Sequence, residues 1–298
     1  MAPLLRPARP GEHDRLIELA LERNPHLLRG DAADPLERPD AWPDVAVRVA
    51  EVDGTLAGWG YVGHATHLPP SFTVVWLTVA AGHEGHGVGT ALHRELVAAA
   101  PGEGPHDLRS WVFDDEERAW GVVTGWGFAE QQHSIASVLD LTGPLDPPAQ
   151  APGVTLEECP ALAFDSATEA EVTDVLARSQ TNPEAEDGFV LDLPMLRTAG
   201  GEAPPVGVVA RVEGRVAGIA SGFVEEGDLV VWYAGVAPEH RRRGLARAMK
   251  QSLHQQAHAL GATRCYTENE AGNTSIRALN ADLGFVPRFG MRRVRRSG

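Results

Sequence analysis

The sequence predicts two α+β domains of one plan, arranged in tandem. Three observations carry that expectation. The chain has 298 residues, long for one domain and sufficient for two that each bury a core. Its halves repeat one order of strands, hairpins and helices at a spacing of about 150 residues. Between them lies LTGPLDPPAQAPG, from Leu141 to Gly153, proline-rich and without hydrophobic period, as a linker should be. The expected boundaries are therefore 1–141, a linker over 142–153, and 154–298.

In the first half, Pro3 to Pro7 reads as a strand and Gly11 to Glu22 as a helix with Leu16, Ile17 and Leu19 on its apolar side. Proline, aspartate and arginine dominate Pro25 to Pro43, a loop with one short helix. Val45 to Val52 alternates as a strand, Asp53-Gly54 makes a hairpin turn, and Leu56 to Val62 returns. A strand over Phe72 to Val79, a helix over Gly87 to Ala100, a strand over Asp107 to Phe113, a helix over Glu116 to Thr124 and a strand over His133 to Leu141 follow.

The second half repeats the order. Val154 to Glu157 is a strand, Thr168 to Arg178 a helix, Thr181 to Gly188 a loop. Val206 to Val212 and Val216 to Val224 flank the Glu213-Gly214 turn, and Leu229 to Val236 leads into a helix over Leu245 to Leu260. Thr263 to Thr267 is a strand, Thr274 to Leu283 a helix, and Phe285 to Val294 supplies closing strands. Matched segments make the repeat explicit: VDGTLAGWGYV answers VEGRVAGIASGFV, and GWGFAEQ answers DLGFVPR.

Composition excludes several classes. Hydrophobic residues make up 43% and charged residues 22%, too apolar for disorder. No apolar run is long enough for a membrane span, and the N-terminus lacks a signal-peptide core, so the expected location is cytoplasmic. A formal charge of −15 argues against nucleic acid as partner and suits a cationic substrate. Cys159 and Cys265 fall in different halves, so no disulfide is expected. The histidines at 64, 67, 83 and 86 lack ligand spacing, so no metal is expected; His254 and His258 read as surface residues.

The most informative stretch is VVWYAGVAPEHRRRGLARAM, from Val230 to Met249. An apolar strand breaks at Pro238 and passes through Arg241, Arg242, Arg243, Gly244, Leu245 and Ala246 into a helix. The first N–H groups of a helix lack internal partners and the helix dipole favours an anion there. Gly244 lets backbone approach a ligand, and the arginines supply donors suited to phosphate oxygens. A diphosphate fits this turn.

Arg241-x-x-Gly244-x-Ala246, with the later ENEAGNTSIRALNADLGF, resembles the acetyl-CoA signature of the GNAT (GCN5-related) N-acetyltransferases. The duplication makes the chain similar in layout to the tandem GNAT proteins, of which the mycothiol synthases are one group. The resemblance implies two GNAT-like α+β domains, each a mixed, mostly antiparallel sheet flanked by helices. It further implies acetyl transfer from acetyl-CoA to a primary amine by direct attack in a ternary complex, in the C-terminal domain. The competing class is a non-catalytic acyl-CoA-binding, sensor or interaction module. A small-molecule or peptide amine is the implied acceptor, and the chain is expected as monomer or homodimer.

Carried onto this sequence, the resemblance assigns Val236 and Ala237 to the pantetheine, an N–H of that segment to the thioester carbonyl, and Arg241 to Ala246 to the diphosphate. Asn273 is either a helix cap or a cofactor contact. Where the family often has a tyrosine that protonates the departing thiolate, this chain has Asn280, an amide that cannot act as an acid. Tyr233 either lines the acceptor site or packs in the core. Base candidates are Glu225, Glu226 and Asp228 in the hairpin before the key strand, Glu226 foremost, with Glu268 as a further one. In the first half the signature slot reads Glu84-Gly85-His86-Gly87-Val88-Gly89 and the tyrosine position is Val123. A carboxylate beside a diphosphate opposes binding, although Gly87, Gly89 and Thr90 keep the turn, so this half is expected to be structural or a pseudo-site.

Overall fold

Two dipeptide turns start the two sheets. At Asp53-Gly54 and Glu213-Gly214 both residues have positive φ (53° and 75°, 52° and 80°), the backbone that joins two strands through a two-residue loop. A computed structural model describes residues 2–66, 68–102, 106–149, 152–180, 191–201, 203 and 205–298. Its first half runs β1 (Leu4–Pro7), α1 (His13–Arg23), α2 (Arg29–Glu37), β2 (Ala46–Val52), β3 (Thr55–Gly63), β4 (Thr73–Val79), α3 (Val88–Ala98), β5 (Leu108–Phe113), α4 (Glu117–Gly125) and β6 (Ala129–Asp140). The second half runs β7 (Val154–Glu158), α5 (Ser166–Ser179), α6 (Leu193–Thr198), β8 (Pro205–Val212), β9 (Arg215–Glu225), β10 (Asp228–Val236), α7 (Leu245–Ala259), β11 (Arg264–Glu270), α8 (Thr274–Asp282) and β12 (Val286–Arg296).

The chain forms two compact units, and they differ from the sequence halves at their ends. One contains Met1–Gln132 and Met291–Gly298, the other His133–Gly290. In the first unit β1, β2, β3, β4 and β5 are joined in that order, and Met291 to Arg296 of β12 pair antiparallel with β5. In the second, β7, β8, β9, β10 and β11 are joined in order, and Ser134 to Asp140 of β6 pair antiparallel with β11. Among the described pairings within the units, β4 with β5 and β10 with β11 run parallel and the others antiparallel, so each unit's sheet is mixed and mostly antiparallel.

In the second unit the pleat divides the core between two faces. Val208 and Ala210 pack with Leu245, Met249 and Leu253 of α7, whereas Val209 packs with Val172, Val175 and Leu176 of α5. Each such fully buried aliphatic side chain contributes about 1.5–3 kcal/mol. In the first unit Leu96 of α3 packs on Val62 and Val75, with Phe128 and Val294 beside them.

Three expectations change. A helix, α6, occupies 193–198, where none was expected; Asp192 caps it by accepting from the Met195 N–H at 2.9 Å. The closing segment is one strand. His254 is buried, because it lies one turn beyond Lys250 on the inner side of α7, where Phe285 covers it. The loop expected over Thr181 to Gly188 falls outside the described residues. Among the described residues no helix is long and apolar enough to cross a membrane, and no group of three or more histidine, cysteine or carboxylate side chains could hold a metal. Cys159 and Cys265 are both free and buried.

Candidate active site

In each unit the two parallel strands begin paired and then separate. β10 pairs with β11 from Asp228/Arg264 to Val231/Thr267 and no further. A bulge at Trp232, between the Val231 and Tyr233 registers with β9, bends β10 where the separation starts. In the first unit β4 and β5 share only two pairs, Thr73/Leu108 and Val74/Arg109, and β4 has no bulge.

The backbone of β10 beyond the bulge has one edge on β9 and one on the gap. Ala237 donates its N–H to Ala217 O at 2.9 Å, so by alternation Gly235 and Tyr233 also face β9. Ala234 and Val236 therefore turn their N–H and C=O toward the gap. This corrects the expectation for Ala237, whose carbonyl accepts from the His240 N–H at 2.9 Å and whose side chain is buried. Ala234 is the residue the motif reading misses; counting back two from Val236 would have found it.

Beyond Val236 the chain turns through Pro238–His240 and enters α7 at Gly244, which has φ of 82° and caps the helix. The first intrahelical bond is Ala248 N–H to Gly244 O, which leaves the amides of Leu245, Ala246 and Arg247 directed out of the N-terminus. Arg242 also has positive φ (61°), a strained conformation for a side-chain-bearing residue. The Arg241 side chain folds back, donating to Val236 O at 3.3 Å and Ser179 O at 3.4 Å, and braces the turn instead of pointing out of it. Arg243 lies beside His240 at 3.1 Å. Open backbone amides, left-handed glycine and flanking guanidinium groups fit a diphosphate.

The acid–base candidates separate. Tyr233 lies over Gly235 with its hydroxyl 2.6 Å from Ser179 Oγ, on the α5 face of the sheet. The Ser179 hydroxyl donates to Val175 O, so Tyr233 is the donor in that pair and its proton is engaged. Burial raises its pKa, against the opposing effects of Ser179 and Arg241. The exposed aromatic of this strand is Trp232, 47% accessible, beside Phe223. Glu226 has positive φ in the β9–β10 turn, before the paired end of β10, and the strand from Asp228 to Val236 puts roughly 26 Å between that end and Val236 at about 3.3 Å per residue. Asp228 is held by Arg264 at 2.7 Å at that same end. A hairpin turn lies at the start of its strand and the gap at the finish, so the structure does not bring Glu226 to the cleft. Glu268, one residue past the last β10–β11 pair, is the carboxylate nearest the start of the gap, with Glu270 two residues further along β11, and alternation puts both on the Tyr233 face.

On the other face, Asn273 caps α8 by accepting from the Ile276 N–H at 3.3 Å, which satisfies the cap reading. Asn280, 3% exposed, accepts from Lys250 Nζ at 2.9 Å and donates to Asn269 Oδ1 at 2.6 Å. Burial pushes the Lys250 ammonium down to about 8. Nothing local in the sequence marks Lys250 except that it is the only lysine.

The first unit keeps the backbone of this site and loses its charge. Gly87 caps α3 with φ of 85°, as Gly244 caps α7. Glu84, just before this turn, is clasped by Arg23 and by Arg118, the latter at 3.1 Å. Behind the clasp is a cavity of about 900 Å³ walled by Trp76, Trp111, Val123 and Trp126. His93 lines it, stacked on Trp126 at 4.1 Å, and burial pushes its pKa down to about 4.

The profile of the Acetyltransferase (GNAT) family matches this chain twice, over residues 14–128 and 170–285. The chain belongs to that family. It is a tandem GNAT protein, with a domain of the family in each half, and its family uses acetyl-CoA as acyl donor. Mycothiol acetyltransferase of Nocardia farcinica is 29% identical to it over 251 residues, 80% of this chain and 78% of that protein. Two solved structures share its fold at 18% identity and a TM-score of 0.71. They are a GCN5-related N-acetyltransferase from Sphaerobacter thermophilus, covering 99% of this chain and 95% of that one, and a tandem GNAT protein from the clavulanic acid biosynthesis pathway, covering 99% and 98%.

Proposed function

We propose that the second unit of this GNAT acetyltransferase moves an acetyl group from acetyl-CoA to the primary amine of a small molecule, by direct attack in a ternary complex. The observation that carries the reading is the contrast between the two N-terminal helix turns. At Gly244 the amides are open and flanked by arginines; at Gly87 a carboxylate clasped by two arginines stands before the turn. The amides of Leu245, Ala246 and Arg247, with Arg242 and Arg243, hold the diphosphate, and the Ala234 edge and the Val236 N–H pair with the pantetheine amides, the Val236 carbonyl being held by Arg241. Acetyl-CoA supplies the acetyl thioester.

An amine reaches a neutral-pH site as ammonium and must lose a proton before attack. Glu268 takes that proton, directly or through water. Tyr233, fixed by Ser179, forms the floor of the acceptor side rather than the proton acceptor. A gap-facing N–H of the Ala234–Val236 stretch polarises the thioester carbonyl. The small-molecule class is supported by the relative from Nocardia farcinica, which is named as a mycothiol acetyltransferase.

The test is thiol release from acetyl-CoA over a panel of primary amines, with wild type and Glu268→Gln. Turnover with at least one amine, falling by about tenfold or more in the variant as loss of a general base requires, supports the reading. Acetyl-CoA binding without turnover on any amine supports the competing non-catalytic module, which Asn280 in place of an acid favours.

A further inference from the structure

The buried ammonium of Lys250 has no counter-charge among the described residues. The side chain is 1% exposed, and it meets the Asn280 amide oxygen at 2.9 Å and the face of Phe285 at 5.1 Å. Buried charges in proteins are ordinarily paired. The other titratable groups facing it are His254 on α7 itself and Cys265 on β11, the thiol influenced in turn by Asp228. Burial pushes the His254 imidazole down to about 4 and the Cys265 thiol up to about 12, so neither carries a charge at neutral pH. Lys250 keeps a positive charge for much of its population there, with no anion among the described residues to meet it.

The hydrogen bonds give that charge a direction. Lys250 takes the Asn280 oxygen, which fixes the amide with its NH2 group toward Asn269. Asn269 stands on β11 two residues beyond the last β10–β11 pair, on the wall of the strand gap. The line Lys250, Asn280, Asn269 therefore runs from the core of the helix face to the cleft. The first unit supplies an internal comparison. His93 stands six residues after Gly87, as Lys250 does after Gly244, but its imidazole is neutral and Val123 replaces the amide. The unit with the clasped turn is also the unit without the charge.

We propose that Lys250 is a positioning residue for the acyl-transfer cleft, its ammonium orienting Asn280 so that amide N–H and positive charge together stabilise the sulfur anion that leaves when the acetyl group is transferred. This rests on the acetyltransferase reading. Asn280 then replaces proton donation by hydrogen-bond donation, and the sulfur departs as a thiolate that solvent protonates. No proton passes through the amide.

The test needs no acceptor. Coenzyme A is bound to the full-length protein, and its thiol is titrated by the ultraviolet absorbance of the thiolate. Cys159 and Cys265, pushed up to about 11 and 12 by burial, stay silent across the neutral range. In the wild type the bound thiol ionises about one pH unit below free coenzyme A, the size expected of one nearby opposite charge. In Lys250→Met, which replaces a buried cation by an apolar chain of similar length, that shift disappears. Asn280→Asp, which gives Lys250 a carboxylate partner and so favours folding, turns the shift upward and provides the second reading if the methionine variant does not fold. Binding with an ionisation equal in wild type and either folded variant would overturn the proposal and leave the acetyltransferase reading intact. Failure of the wild type to bind coenzyme A would overturn both.

Discussion

Substitution at Gly244 separates geometry from charge at the anion turn. The residue is left-handed, with φ of 82°, and a Cβ built there meets nothing within 4 Å. The penalty of a side chain is therefore backbone strain, about 1–2 kcal/mol for most residues and less for asparagine or aspartate. Gly244→Asn and Gly244→Asp impose nearly the same strain and volume and differ by one charge. A carboxylate about 4 Å from a phosphate charge is repelled by about 1 kcal/mol in water and about 4 kcal/mol at the effective dielectric of a protein surface. The aspartate variant should then bind acetyl-CoA more weakly than the asparagine variant, by about fivefold at the water limit and by several hundredfold at the protein-surface limit, at about 1.4 kcal/mol per decade. Isothermal calorimetry on wild type and both variants, at one low ionic strength, reads the difference and the stoichiometry. Equal affinity in the two variants would refute the argument that the diphosphate sits on this turn.

Three further outcomes follow from the same geometry. His254, 4% exposed, takes up its proton near pH 4 in the folded protein because burial and Lys250 oppose its charge, whereas the unfolded chain takes it up near 6.5. Stability is therefore whole above 6.5 and falls as pH drops toward 4, by at most on the order of 3 kcal/mol for this group; urea midpoints across that window should fall less steeply in His254→Phe. Glu84→Gln releases Arg23 and Arg118 from their shared carboxylate, and calorimetry should then show a second acetyl-CoA binding event per chain; unchanged stoichiometry would mean that the clasp is not what closes the first unit. Tyr233→Phe removes the donor to Ser179 and should lower stability by about 1 kcal/mol while leaving acetyl-CoA affinity within twofold.

The elements were legible because their signals are local. Val45 to Val52 alternates, Asp53-Gly54 can adopt two positive φ angles, and the Gly244 turn carries its chemistry in consecutive residues. α6 escaped because six residues give less than two helical turns and no measurable period. The site was legible where it is made of backbone at a motif, and illegible where it is made of side chains distant in sequence. Ala237 adjoins Val236, yet only the β9 register shows that its N–H is taken. Glu226 looks close to the cleft in sequence because hairpin and key strand are contiguous, but a strand extends what a helix would fold back. The Lys250–Asn280–Asn269 line joins α7, α8 and β11, and no window of sequence contains it.

The ends of the two units bear on why a half with a clasped anion turn is kept. Each sheet takes a strand from the other half of the chain: β11 pairs with Ser134 to Asp140 over seven residues, and β5 with Met291 to Arg296 over six. A fragment cut at the linker, residues 142–298, would carry the whole anion turn and strand gap but leave β11 with an unpaired edge beside that gap. Unpaired edges of that length seek another chain, and two-sided packing of a strand is what holds its register. The fragment should therefore aggregate or bind acetyl-CoA poorly, and a fragment restoring residues 133–141 ahead of it should recover monodispersity and binding. Recovery with the strand, and none without it, would assign the first half a structural duty met by its own chain termini and independent of any chemistry in its cavity. Equal behaviour of the two fragments would show that β11 does not depend on this strand, and retention of the first half would then have to be explained by a ligand of its own.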